Sequence, residues 1–148
     1  MPDTPTEPEI LLLARDETLE REVRHALRGF RLRISVIASA EDCRRALCPG
    51  RPQLLVLEHS QVRTGWREPV RECLNAEVPV IVVTARFDSR QWVDLFKAGV
   101  LDVIASPLPA QQLQLLVYGL FRCRWNVRER GDERAMATLR RVGAWLGL

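Results

Sequence analysis

The segment Val78-Pro-Val-Ile-Val-Val-Thr84 is the strongest strand signal in this chain of 148 residues. Its four successive β-branched apolar residues are typical of a strand buried on both faces of a parallel sheet. Similar but shorter segments predict four more strands, at residues 10–14, 32–37, 54–57 and 103–105. The segment at 32–37 alternates apolar with polar residues, which is typical of a strand near a sheet edge.

Segments with apolar residues at helical spacing lie between and after these strands. They predict helices at 18–27, 39–47, 68–74, 88–98 and from Pro109 onward, the last with the apolar stripe Leu113, Leu116, Val117, Leu120 and Phe121. Five rounds of strand and helix predict an α/β fold, a five-stranded parallel sheet with helices on both faces. We expect a disordered leader at 1–8, one domain at 9–124, and a helical extension or linker at 125–148.

Composition and charge are those of an ordinary globular domain, with 47% hydrophobic residues, 28% charged residues and a net charge of +3. We expect a cytoplasmic protein, because the chain has neither a signal peptide pattern nor an apolar segment long enough to span a membrane. The cysteines, which lack metal-site spacing, are expected to be buried or half-buried thiols: Cys43, Cys48, Cys73 and Cys123. We expect no metal and no cofactor.

Binding sites in parallel sheets lie at the carboxyl ends of the strands. In this sequence those ends are Ala14-Arg15-Asp16, Glu58-His59, Thr84-Ala85 and Ser106-Pro107. His59 is expected to point to the face opposite Glu58, because adjacent strand residues alternate. No grouping suited to nucleophilic catalysis or to nucleotide binding is found, so we expect no enzyme.

The same strand ends resemble the receiver domain of two-component response regulators, which has a flavodoxin-like fold. The similar segments are Ile10–Glu17, Pro52–Glu58, Val78–Ala85 and Lys97–Leu108, and the likeness covers about 9–124. The resemblance implies a role in bacterial signal transduction. It also implies a cis peptide bond between Ser106 and Pro107.

Several residues depart from the receiver pattern. Ala14 and Arg15 stand where the family has two acids that help to bind Mg²⁺, and Asp16 lies one position further on. Glu58 replaces the phosphorylated aspartate and Ser106 the lysine, whereas the hydroxyl residue Thr84 is kept. These departures predict a metal-free pocket and a function independent of phosphorylation. Two roles for Glu58 remain open: it mimics the phosphorylated state by reaching toward Thr84, or it pairs with Arg15.

The resemblance also implies a pairing face on the fourth and fifth helices. It contains Trp92, Phe96, Leu116 and Leu120, and the extension adds the apolar candidates Trp125, Met136, Leu139, Val142 and Trp145. We expect a homodimer, or docking to a signalling protein or an output domain. Two alternatives stay open: an unusual phosphoacceptor that uses Glu58, and a module that binds a ligand or nucleic acid. Acids interspersed in the arginine-rich extension argue against nucleic acid.

Overall fold

The computed structural model describes residues 7–59, 65–86 and 88–121. These residues form five strands and five helices that alternate along the chain. The strands are β1 (Glu9–Leu13), β2 (Arg33–Ile37), β3 (Gln53–His59), β4 (Val80–Thr84) and β5 (Asp102–Ala105). The helices are α1 (Glu17–Ala26), α2 (Ala40–Ala46), α3 (Arg67–Asn75), α4 (Ser89–Ala98) and α5 (Ala110–Phe121). The predicted order of elements is confirmed.

All strand pairs are parallel, and the strand order is β2-β1-β3-β4-β5. The central strands are buried on both faces, as their continuous apolar sequences predict. β2 lies at one edge and has exposed and half-buried residues, as its alternating sequence predicts. β4 begins at Val80 rather than at Val78, and β3 extends to His59, beyond the predicted end at Leu57.

Two hydrophobic cores flank the sheet. The first packs one sheet face against α1 and α5, through side chains that include Val23 and Val117. The second packs the other face against α2, α3 and α4, through side chains that include Cys43, Val70 and Leu95. The structure thus confirms helices on both faces of the sheet.

Side-chain oxygens cap three helices at their amino ends. Asp16 accepts a hydrogen bond from the backbone N–H of Thr18, Ser39 caps α2, and Asp88 caps α4. These residue types satisfy backbone donors that a helix leaves without partners. At the other end of α4, Gly99 has a φ of 103°, a conformation that favours glycine.

A largely buried polar network joins β1, β2 and β3 toward their amino ends. The carboxylate of Glu9 accepts hydrogen bonds from Ser35 Oγ at 2.8 Å and from Gln53 Nε2 at 2.7 Å. Arg51 adds an ion pair at 3.6 Å. The network therefore ties β1, β2 and β3 together, and the sequence analysis did not foresee it.

Other expectations had mixed outcomes. Cys43 and Cys73 are buried, but the expectation for Cys48 is wrong, because this residue lies exposed in the loop after α2. Along α5, Leu113 and Val117 are buried, whereas Leu120 is exposed.

No helix among the described residues is long and apolar enough to cross a membrane. Residues 1–6 of the predicted leader and the predicted extension lie outside the described residues, as do Cys123, Trp125, Met136, Leu139, Val142 and Trp145.

Candidate functional site

The carboxyl ends of four strands meet around a cavity of about 390 Å³. Its lining includes four of the predicted site residues, Arg15, Asp16, Glu58 and Ser106. Ala14 lines a neighbouring cavity that also contains Arg15 and Glu58. Thr84 lines a third cavity on the side of α4. The structure therefore brings the predicted residues to one edge of the sheet, but it distributes them over more than one cavity.

Glu58 is fixed by the loop that follows β1. Its Oε2 accepts a hydrogen bond from the backbone N–H of Arg15 at 2.8 Å, and the side chain of Arg15 is itself exposed. None of the ion pairs between described residues includes Glu58. The carboxylate thus contacts Arg15 through the backbone rather than through the guanidinium group.

The hydroxyl group of Thr84 has its own local partner. Thr84 Oγ1 donates to the carbonyl oxygen of Arg86 at 3.1 Å and accepts from the backbone N–H of Arg86 at 3.4 Å. Glu58 pairs in register with Val83, not with Thr84, and side chains alternate along a strand. Glu58 therefore lies on the face of α1 and α5, and Thr84 on the opposite face. The hypothesis that Glu58 reaches toward Thr84 has no hydrogen bond to support it.

Asp16 is engaged by its own helix. Its Oδ1 lies 2.8 Å from the backbone nitrogen of Thr18, which is the geometry of a helix cap. The sequence analysis treated Asp16 as an acid displaced by one position from the pocket. Its position before a helical segment was the signal for a cap.

The loop after β5 is held to two other elements. The backbone N–H of Ser106 donates to the carbonyl oxygen of Thr84 at 2.7 Å, and the Ser106–Pro107 peptide bond is cis, as expected. The N–H of Leu108 donates to the carboxylate of Glu22 in α1 at 2.9 Å. Glu22 also lines the cavity, and the sequence analysis missed it because a contact between residues so far apart in the chain leaves no local signal.

His59 is the second site residue that sequence reasoning set aside. Its ring is buried, it pairs in register with Thr84, and it lines all three cavities at this edge of the sheet. Burial lowers the pKa of His59 because the charged imidazolium loses its hydration. The ring of Trp66 lies 6.3 Å away, between centroids. Trp66 is buried in the second core.

The carboxylates near the cavity do not form a group of metal ligands. Within 7–59, 65–86 and 88–121, no three His, Cys, Asp or Glu residues are placed to hold a metal ion. Asp16, Glu22 and Glu58 each accept a backbone N–H instead. Among the described residues these carboxylates therefore do not converge as the cluster of oxygen ligands that a near-octahedral Mg²⁺ site uses.

The predicted pairing face surrounds the β5 edge of the sheet. Of its candidates, Phe96 is 46% exposed and Leu120 is 37% exposed, whereas Trp92 and Leu116 are half-buried. Val93 in α4 and Leu101 before β5 are exposed as well, although the sequence analysis did not single them out.

A five-stranded sheet of order β2-β1-β3-β4-β5 with cavities at its carboxyl edge defines a flavodoxin-like α/β domain. More specifically, the fold is that of response regulator receiver domains. A response regulator from Thermotoga maritima matches with a TM-score of 0.67 at 16% identity, over 78% of this chain and 98% of that chain. A two-component response regulator from Clostridium difficile matches with a TM-score of 0.66 at 18% identity, over 81% and 99%.

The receiver domain of the sensor histidine kinase PA1611 from Pseudomonas aeruginosa PAO1 also matches, and its structure holds a magnesium ion in the active-site cleft. The TM-score is 0.63 at 21% identity, over 77% of this chain and 97% of that chain. No family model matches the sequence, and no curated protein does. At these identities the likeness establishes the fold alone.

Proposed function

We propose that this protein is a receiver-like signalling module that works without phosphorylation. The fold supports a role in two-component signalling, and the observation that carries the proposal is the engagement of Glu58. Its carboxylate accepts the N–H of Arg15, at the position where the receiver pattern has an acid. Attack of a carboxylate on a phosphoryl group depends on positioning and on metal charge. In this protein the carboxylate of Glu58 is hydrogen-bonded to the backbone of Arg15. The neighbouring carboxylates, among the described residues, do not form a group of ligands for Mg²⁺.

Charge placement supports the same proposal. Arg15, whose side chain is exposed, directly follows β1 and lines the cavity. Its positive charge repels a divalent metal ion there. Ser106 has no charge with which to neutralise an acyl phosphate. The hydroxyl of Thr84, kept from the receiver pattern, bonds to Arg86. We therefore propose that the domain does not catalyse its own phosphorylation.

The signal would then pass through protein contacts. We propose that the face around β5 forms a homodimer or docks a partner, because it exposes Val93, Phe96, Leu101 and Leu120. Apolar groups concentrated at one edge are typical of an interaction surface. A two-fold symmetric dimer is the commonest arrangement for such a surface. Sedimentation velocity over a range of concentrations tests this, and a monomer at high micromolar concentration would contradict the dimer.

Phosphorylation is tested with acetyl phosphate and Mg²⁺, followed by intact-mass measurement. We expect no added phosphoryl group on this protein under conditions that fully modify a receiver domain with the complete acidic pocket. A matched variant carries Ala14→Asp, Arg15→Asp, Glu58→Asp and Ser106→Lys. If this variant is phosphorylated, the substitutions at these four positions account for the absence of phosphorylation in the unmodified chain. A phosphoryl adduct on Glu58 of the unmodified chain would instead establish the phosphoacceptor alternative.

A further inference from the structure

Two thiols contact each other inside the second core, on the α2–α3 side of the sheet. The sulfur atoms of Cys43 in α2 and Cys73 in α3 are 3.2 Å apart, and both residues are fully buried and unoxidised. A disulfide has an S–S distance of about 2.05 Å, so bond formation requires the sulfurs to approach by only about 1 Å. The pair is thus placed for a covalent link between two neighbouring helices.

The helix that carries Cys43 is short and buries little of its surface. α2 has seven residues, and Cys43 is its single buried residue. It follows β2, which is an edge strand. Segments with few buried apolar contacts open locally at a smaller free-energy cost than the whole domain. Local opening of α2 therefore gives a small oxidant access to a thiol that is closed off in the folded state.

The contact between the two thiols also shifts their pKa values. The hydrogen bond with Cys73 lowers the pKa of Cys43, against the opposing effects of burial and of the nearby Glu72 carboxylate. The same contact, together with burial, raises the pKa of Cys73. The thiolate is the nucleophile, and local opening of α2 exposes the sulfur of Cys43, so we assign the first attack to Cys43.

We propose that Cys43 and Cys73 form a reversible dithiol–disulfide switch whose oxidant is a hydroperoxide. The sulfur of Cys43 attacks the O–O bond, gains one oxygen as a sulfenic acid, and releases water when the oxidant is hydrogen peroxide. The sulfur of Cys73 then attacks the sulfenic sulfur, and the S–S bond forms as a second water leaves. Two thiols are oxidised by two electrons, and one peroxide is reduced to two waters. A reduced dithiol reverses the reaction by thiol–disulfide exchange.

Oxidation would fix α2 against α3 and would also restrain part of the candidate site. The bond joins residues 30 positions apart, and the enclosed segment contains β3 with Glu58. Asp42, next to Cys43, lines a cavity together with Glu58. A covalent link at Cys43 therefore restrains one wall of that cavity.

The experiment uses the full chain with Cys48→Ser and Cys123→Ser, which leaves only the buried pair. After hydrogen peroxide and an acid quench, the unfolded protein is alkylated with N-ethylmaleimide and examined by peptide mass spectrometry. We expect loss of both alkylation sites, a cross-linked peptide joining Cys43 and Cys73, and full reversal by dithiothreitol. The crosslink closes a long loop in the unfolded chain, so the melting temperature should rise by about 10 °C without reductant.

A third substitution, Cys73→Ser, isolates the first step. Dimedone should then trap a sulfenic acid on Cys43, while the matching Cys43→Ser variant should give much less adduct on Cys73. The wild-type chain supplies an internal control, because Cys48 is exposed. If peroxide oxidises Cys48 completely while Cys43 and Cys73 remain fully alkylatable after unfolding, the pair is only a packing contact and the proposal is overturned. Irreversible sulfinic acid in place of the crosslink would overturn it too.

Discussion

Replacing Glu58 with alanine should destabilise the domain, because the carboxylate anchors the loop after β1. The substitution removes the hydrogen bond of 2.8 Å from the N–H of Arg15. Hydrogen bonds to charged groups contribute about 1.5–3 kcal/mol, and partial exposure of Glu58 favours the lower end. We therefore expect a loss of about 1–2 kcal/mol in the free energy of unfolding. Glu58→Gln should lose less, since an amide oxygen still accepts the N–H.

Electrostatic repulsion in the cavity opposes this effect, so the sign of the change in the free energy of unfolding is informative. Asp16 and Glu22 line the same cavity as Glu58, so removal of one negative charge also relieves repulsion. In an acidic metal-binding pocket that relief would dominate, and Glu58→Ala would stabilise the apoprotein. Because Asp16 and Glu22 each accept a backbone N–H, we expect the lost hydrogen bond to dominate here.

Urea unfolding followed by tryptophan fluorescence measures the difference. The matched control is Glu68→Ala, an exposed glutamate in the first turn of α3, for which we expect a change below about 0.5 kcal/mol. Glu58→Asp should behave like Glu58→Ala, because the shorter side chain withdraws its carboxylate from Arg15. A Glu58→Ala variant that equals or exceeds the wild type in stability would refute the anchoring role.

Three further predictions concern other parts of the fold. Gly99→Ala should cost about 1–3 kcal/mol in urea unfolding, because φ is positive and the new methyl group would lie 2.9 Å from an α3 side chain; an unchanged midpoint would contradict this. Burial lowers the pKa of His59, so the unfolded state binds more protons and stability falls as the pH drops below about 6.5. His59→Gln should flatten the dependence of stability on pH between about 7 and 5; a slope equal to that of the wild type would exclude His59 as the cause. Phe96→Glu should weaken self-association at least about tenfold in sedimentation velocity, whereas Val36→Glu, at the opposite edge of the sheet, should leave it unchanged; equal effects would place the interface elsewhere.

The fold was predictable because its signals are local. Uninterrupted apolar segments such as Val80–Val83 identify buried strands, and Ser39 and Asp88 mark helix starts through cap chemistry. The strand ends were predicted less accurately. β4 begins after Pro79 rather than before it, and β3 continues through the polar residues Glu58 and His59. These positions depend on pairing with neighbouring strands, which a local pattern does not contain.

The site was only partly predictable, because its contacts join distant residues. The sequence predicted that Glu58 and Arg15 lie at the same sheet edge. It did not predict that Glu58 contacts the backbone N–H of Arg15 rather than its guanidinium group. Glu22 and the Cys43–Cys73 contact gave no sequence signal, since both depend on how helices pack. The Asp16 cap did have a sequence signal, because an aspartate directly before a helical segment is typical of a cap.

The measurement that tests the central claim most directly is an amide spectrum recorded during addition of Mg²⁺ and then beryllofluoride, which imitates a bound phosphoryl group. We predict that the amides of Arg15, Glu58 and Thr84 show no saturable shift at millimolar metal, with or without beryllofluoride. Only the small uniform drift caused by ionic strength should appear. Saturable shifts centred on Glu58 and spreading to Thr84 would show a working phosphoacceptor pocket and would contradict a function independent of phosphorylation.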